Sequence, residues 1–298
     1  MHVALIDPSR VIRRTVSGML EAGGHSVVAF GDSTAALAHV EADPSVTCVL
    51  TSLEVQPICG LELCWSLRAL ADDRRPLTIL VMSSARDDRP LSEVLDSGAD
   101  DFLMKPPSAQ ELHGRLRSAE RVLTLQQALI RQADTDHLTQ LLNRGALMRQ
   151  AGIALANASA AAPLTMLQID IDHFKSINDR FGHDVGDCVI RCVAQVLRET
   201  GAVTGRLGGE EFAVLMPGHG LGGAAVVAHR IRSRCAVTAV PGQPDLRFTA
   251  SIGLSEWSAG DSVDSLLKRA DLALYAAKRG GRNRVAMTSS ALRTEVVG

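Results

Sequence analysis

The sequence predicts an α/β protein in two parts: an N-terminal doubly wound parallel sheet and, beyond a connecting helix, a second domain that presents acids at its strand ends. Three observations predict this. Short apolar strands alternate with helical segments over the first third of the chain, a seven-residue apolar repeat follows Pro106-Pro107, and Gly208-Gly209-Glu210-Glu211-Phe212 stands between two apolar runs. The 298 residues suffice for two domains of ordinary size, each with its own core.

In chain order, His2 to Asp7 is a short apolar strand ending in an acid, followed by a helix to about Glu21, a strand near His25 to Phe30, a helix from Ser33 and a strand from Thr47 to Thr51. Ile79 to Ser83 and Asp101 to Met104 supply two more strands. Such alternation predicts an open parallel sheet with helices on both faces, whose sites lie at the carboxyl ends of the strands. Asp7, Ser52, Ser84 and Lys105 fall at those ends.

Pro106-Pro107 stops the last strand, and Ser108-Ala109-Gln110-Glu111 has capping-box spacing. Leu116, Leu123 and Ile130 then recur every seven residues, with Leu112, Ala119, Gln126 and Ala133 at the alternate core positions, a short heptad seam. A second stripe, Val122, Leu125 and Leu129, lets the first turns pack equally well on their own domain. Beyond Val122 a two-stranded coil is the expectation.

In the second part, Leu164 to Asp172 reads as a strand ending in Asp170-Ile171-Asp172, with the two acids on one face by period-2 geometry. The two glycines at 208 and 209 predict a tight hairpin turn that pushes Glu210 and Glu211 out of a sheet edge. Carboxylates from neighbouring strand ends can hold Mg²⁺ while a nucleotide's phosphates fill its remaining positions. The remaining order is a helix from Asp187 to Arg198, a helix near Gly222 to Cys235, a strand from Phe248 to Gly253 and a helix from Ser262 to Lys278.

A net charge of −2 argues against a broad nucleic-acid face. No apolar run reaches the roughly 20 residues of a membrane span, and the N-terminus lacks a signal peptide's basic start, so a cytoplasmic location without membrane contact is expected. The six cysteines show no zinc or disulfide spacing and read as reduced.

Asp-x-Asp-x-Phe-Lys-x-x-Asn-Asp from Asp170, Gly-His-x-x-Gly-Asp from Gly182, Gly-Gly-Glu-Glu-Phe from Gly208, then Ala-Leu-Tyr-Ala-Ala-Lys and Gly-Arg-Asn occur in order within Asp136 to Val285. Together they resemble a GGDEF-type diguanylate cyclase. The resemblance implies an α/β sandwich of the kind shared by nucleotidyl cyclases and palm-type polymerases. It also implies that Asp170, the carbonyl of Ile171, Glu210 and Glu211 ligate Mg²⁺ or Mn²⁺, that Glu210 takes the 3′-hydroxyl proton and that Lys175 stabilises the transition state. Asn178 and Asp187 match the guanine-reading pair, and Lys278 and Arg282 the phosphate-gripping cations. Asp172 is expected either to cap the next helix or to touch metal, Phe174 and Tyr275 to be core, and His183 to be a hydrogen-bonder in its turn. The family's inhibitory Arg-x-x-Asp is replaced by Glu199-Thr200-Gly201-Ala202.

The first part resembles a two-component receiver through Ile6-Asp7, Ser52 to Gly60, Ser83-Ser84-Ala85, and Gly98-Ala99-Asp100 through Lys105-Pro106. Aligned so, the phosphoacceptor position is Ser52 and the second acid of the N-terminal pair is Pro8. A serine hydroxyl lacks the acyl-phosphate chemistry and Pro8 has no metal-ligating side chain. The expectation is therefore a pseudo-receiver in which Asp7 and Lys105 persist as a salt bridge and Glu54 is a solvated loop residue. The organisation expected is a receiver-like domain over 1–120, a helical linker over 108–135 and a cyclase domain over 136–290. The resemblance implies two GTP joined into cyclic di-GMP by a homodimer held through the receiver and linker helix, with an unidentified protein partner at the pseudo-receiver. The rival expectation is a catalytically silent receptor for GTP or cyclic di-GMP.

Overall fold

The computed structural model describes residues 1–72, 74–84 and 91–288, and the backbone of 294–297. Ala85 of the receiver-like motif lies outside the described residues. The chain divides into two units, Met1–Ala133 and Asp134–Gly298.

Unit 1 runs β1 (His2–Ile6), α1 (Arg10–Ala22), β2 (Ser26–Phe30), α2 (Ser33–Ala42), β3 (Cys48–Ser52), α3 (Gly60–Leu70), β4 (Thr78–Ser83), α4 (Leu91–Asp96), β5 (Asp101–Met104) and α5 (Ala109–Asp134). The strands form one parallel sheet in the order β2-β1-β3-β4-β5. Side chains alternate across it: Ala4, Ile6, Val49, Ile79 and Val81 enter a core with α2 and α3, while Val3, Leu5, Leu50, Leu80 and Met82 face α1 and α5. Ser9 and Asp32 cap α1 and α2 by accepting the N–H groups of Ile12 and Ala35.

The connecting helix departs from the expected seam. Leu112, Leu116, Ala119 and Leu123 are buried, and the first two belong to the core that faces α1. They are occupied within unit 1, because the lower face of the sheet needs a second helix to cover it. The second stripe, offered as an alternative inward face, is instead exposed: Val122, Leu125 and Leu129 are 54%, 60% and 65% exposed.

Unit 2 contains α6 (Arg144–Ala156), β6 (Leu164–Ile171), α7 (Phe174–Phe181), α8 (His183–Arg198), β7 (Val203–Gly208), β8 (Glu211–Pro217), α9 (Leu221–Val237), β9 (Ala250–Glu256), α10 (Val263–Arg279), β10 (Val285–Thr288) and β11 (Thr294–Val297). Its mixed sheet has the order β11-β10-β9-β6-β8-β7, with β6 antiparallel to both neighbours. Leu167, Ile169, Phe212 and Val214 pack one face on α8 and α9, and Met166, Ala213 and Leu215 pack the other on α6 and α10. At Gly253 the sheet meets α10 so closely that a Cβ would lie 2.1 Å from the Leu274 nitrogen. Helix α10 thus lies flush on β9, which brings its C-terminal end to the end of β6.

All six cysteines are free. Burial pushes the thiols of Cys48 and Cys235 up to about 12 and that of Cys64 to about 11, as befits inert core filling. Among the described residues no helix is long and apolar enough to cross a membrane.

Candidate active site

Strands β7 and β8 form the predicted hairpin. Gly208 pairs with Glu211, and a register shift lies between Arg206 and Gly208, leaving Gly209 and Glu210 as the turn. Gly209 has φ +50, a left-handed conformation that glycine adopts without a Cβ penalty. The Arg206 Nε donates to the Gly209 carbonyl at 2.9 Å, and its Nη1 donates to both carboxylate oxygens of Asp136 at 3.1 Å. Asp136 also accepts from the N–H and hydroxyl of Thr139. Burial raises the Asp136 carboxyl, but these hydrogen bonds outweigh it and hold the group below its ordinary value. Arg206 and Asp136 therefore brace the turn that presents Glu210. Sequence reasoning assigned neither a role, although an arginine two residues before a two-glycine turn and an acid opening the domain are both visible in the chain.

Asp170, on β6, sits directly opposite Glu211 of β8, and both side chains lie on the α10 face of the sheet. Asp170 is buried, and the Lys278 ammonium at the end of α10 stands 2.7 Å from its Oδ2. Burial raises the Asp170 carboxyl above its ordinary value; Lys278 opposes this, and the neighbouring charges of Glu210 and Glu211 add to it. Ile171 ends β6, paired with Ala250. Among the described residues no three His, Cys, Asp or Glu side chains form a preformed metal cage. The donors nevertheless fit a hard cation: they are oxygens, they include a buried carboxylate crowded by two others, and a positive charge already rests on that carboxylate.

The α7–α8 corner sets the Asn178 amide over Gly186, the residue that precedes Asp187 on α8. The Asn178 Oδ1 is buried with no partner among the described residues, an unsatisfied acceptor of the kind that a ligand's N–H satisfies. Lys175 is exposed on the first turn of α7, and Arg282 is exposed in the turn after α10. No ion pair engages either cation among the described residues. Phe174 is core, whereas Tyr275 is 59% exposed beneath the Arg279 guanidinium, contrary to its expected burial. His183 is exposed at the start of α8, which begins at His183 rather than Asp187.

Asp172 does not cap the next helix. Helix α7 has no side-chain cap at His173. The Asp172 Oδ1 accepts from the Ser251 hydroxyl at 2.7 Å, and its Oδ2 accepts from the Thr249 hydroxyl at 2.7 Å and the Asn283 N–H at 2.9 Å.

In unit 1, the Lys105 ammonium lies 2.6 Å from Asp7 Oδ2, donates to Ser52 Oγ at 2.5 Å, and reaches Glu54 Oε2 at 3.4 Å. Asp7 and Ser52 are fully buried. Glu54 is half exposed but joins this cluster, so it is not simply a solvated loop acid. The Ser52 hydroxyl also accepts the Glu54 N–H, closing a local turn over the strand end.

The family described as diguanylate cyclase, GGDEF domain, matches residues 133–284, and the response regulator receiver domain matches residues 3–117. The response regulator PleD of Caulobacter vibrioides is 35% identical over 263 residues, covering 83% of this chain and 58% of that protein. The diguanylate cyclase DgcM of Escherichia coli is 40% identical over 166 residues, covering 54% of this chain and 40% of that protein. The chain thus spans about half the length of these relatives. Among solved structures, the coiled coil and GGDEF domain of DgcB from Caulobacter crescentus, in complex with c-di-GMP, matches with TM-score 0.55 and 35% identity, covering 59% of this chain and 97% of that one. The diguanylate cyclase SiaD of Pseudomonas aeruginosa, in complex with its activator SiaC, matches with TM-score 0.53 and 33% identity over 59% of this chain and 69% of that one.

Proposed function

Since the chain belongs to the GGDEF diguanylate cyclase family and carries a response regulator receiver domain ahead of it, we propose that it condenses two GTP into cyclic di-GMP with release of two pyrophosphates. The observation that carries this reading is the facing pair Asp170 and Glu211, with a cation already seated on Asp170 and the braced turn presenting Glu210 beside them.

Asp170, the Ile171 carbonyl, Glu210 and Glu211 are the residues that would hold Mg²⁺ or Mn²⁺, which when bound neutralises the triphosphate and the departing pyrophosphate. Glu210 accepts the proton of the attacking 3′-hydroxyl. Lys175 meets the charge that develops on the α-phosphate. Asn178 and Asp187 read guanine, whose N1–H and N2–H₂ donors suit a carboxylate where adenine offers only an acceptor. Arg282 grips phosphate by its fork, and Lys278, whose ammonium pairs with Asp170, would do so as a point charge.

Each cyclase unit binds one GTP, so the 3′-hydroxyl of one must meet the α-phosphate of another, and proximity of two half-sites supplies much of the rate. The reading therefore includes a homodimer, supported by the exposed stripe Val122, Leu125 and Leu129 on α5. The receiver acts without phosphorylation, because a serine stands at the acceptor position and Lys105 is ion-paired with the acids around it. It serves dimerisation or the docking of a protein partner.

The test is to incubate nucleotide-free protein with GTP and Mg²⁺, without a phosphodonor, and resolve products by chromatography with mass detection. Cyclic di-GMP is the expected product. Unchanged GTP in a protein shown to be dimeric would overturn the reading in favour of a silent nucleotide receptor.

A further inference from the structure

We propose that Asp172 is a positioning residue that aims Arg282 at the nucleotide phosphates, an inference that rests on reading Arg282 as a phosphate contact. Asp172 immediately follows β6 and is buried. Its carboxylate joins three segments: its own strand end, the entry to β9 through Thr249 and Ser251, and the turn between α10 and β10 through the Asn283 N–H.

That turn needs an anchor. Arg282 and Asn283 are consecutive non-glycine residues with φ of 61° and 45°. Such conformations persist only where the surroundings over-determine them. The Arg282 N–H donates to the Ala277 carbonyl at 3.1 Å, and Arg232 of α9 reaches the Asn283 carbonyl at 3.4 Å and its Oδ1 at 3.2 Å. Both Arg232 contacts are exposed, whereas the Asp172 bond is shorter, less exposed and made to a charged acceptor, the stronger kind. The Arg282 guanidinium has no ion-pair partner among the described residues, so the backbone beneath it sets where it points. One carboxylate, two residues beyond Asp170, thus holds the phosphate cation and the cation-seating acid in a common frame.

The experiment is calorimetric titration of a non-hydrolysable GTP analogue with Mg²⁺ into the full chain and into Asp172→Ala, Asp172→Asn, Arg282→Ala and the double variant Asp172→Ala/Arg282→Ala, with melting temperatures for each. Arg282→Ala is expected to weaken binding by roughly ten- to a hundredfold, as loss of a charge-assisted contact does. Asp172→Ala should approach that loss, the double variant should bind within about twofold of Arg282→Ala, and Asp172→Asn, which keeps an acceptor for the Asn283 N–H, should stay within about threefold of the parent. A merely structural role would lower melting temperature without this non-additivity. Additive losses, or an Asp172→Ala protein that binds like the parent while Arg282→Ala does not, would overturn the positioning role alone. Parental affinity in Arg282→Ala would overturn the phosphate reading of Arg282 and the proposal with it. Should Asp172→Ala fail to fold, Asp172→Ser, too short to reach Asn283, takes its place with the same expectation.

Discussion

Gly186→Ala is expected to separate nucleotide recognition from folding. A Cβ at this position would lie 1.9 Å from the Asn178 Oδ1, 3.0 Å from its Cγ and 3.2 Å from the Phe174 Cζ. The amide must retreat by roughly 1.5 Å to regain ordinary contact distance. Because the obstructed atom is the far end of a side chain with no partner of its own, an off-rotamer shift costs about 0.5–1.5 kcal/mol. Alanine in place of glycine inside α8 returns up to about 1 kcal/mol of helix propensity. The two nearly cancel, so the melting temperature should move by only a few degrees. Recognition has no such offset: losing the Asn178 contact to guanine removes about 1–3 kcal/mol, or roughly five- to a hundredfold in GTP affinity. The assay is calorimetric binding of a non-hydrolysable GTP analogue beside a thermal melt. Parental affinity at parental stability would refute the assignment of Asn178, and a collapsed melting temperature would refute the steric reasoning.

Glu210→Ala should abolish cyclic di-GMP formation with the melt unchanged, since the residue occupies a two-residue turn and no core; product chromatography and a thermal scan decide this together. Ser52→Ala should leave turnover within about twofold, because a hydroxyl contact to Lys105 is a small net contribution in a site that still holds Asp7; lost turnover would contradict the phosphorylation-independent receiver. Asp261 is held down from 3.8 to about 2, first by hydrogen bonds from Arg269. A depressed carboxylate stabilises the fold above its unfolded value and loses that contribution as pH falls through its folded value, so stability should drop between pH 3.8 and about 2. Arg269→Met should flatten that part of the pH–stability curve measured by urea unfolding, and an unaltered curve would remove Asp261 from the account.

Much of the fold was legible because its signals are local. Strand and helix alternate in unit 1 with one hydrophobic period each, and the turn at Gly208-Gly209 declares itself through residues that tolerate positive φ. Tertiary choices were not legible. Helix α5 carries two apolar stripes, and only the sheet beneath decides that Leu112 and Leu116 face inward while Leu125 and Leu129 stay outside. Strand β10 has four residues after a glycine-rich turn, too few to show a period, and β11 pairs antiparallel with it at the end of the strand order. Facing of Asp170 with Glu211 was foreseeable from period and hairpin. The bonds of Asp172 to Thr249, Ser251 and Asn283 join residues far apart in the chain, and no local pattern encodes them.

The ammonium of Lys105, lodged against Asp7, Ser52 and Glu54, is a charge tethered to the chain. A bound ion or a phosphoryl group arrives, lingers and leaves, and its lifetime lets a signalling protein remember a stimulus. A tethered charge has no such lifetime, and a receiver that works without phosphorylation, as proposed, leaves nothing for a phosphatase to erase. Under the proposed reading, the timing of second-messenger output then passes to events outside that pocket: the meeting of two chains, the arrival of a partner and the supply of GTP.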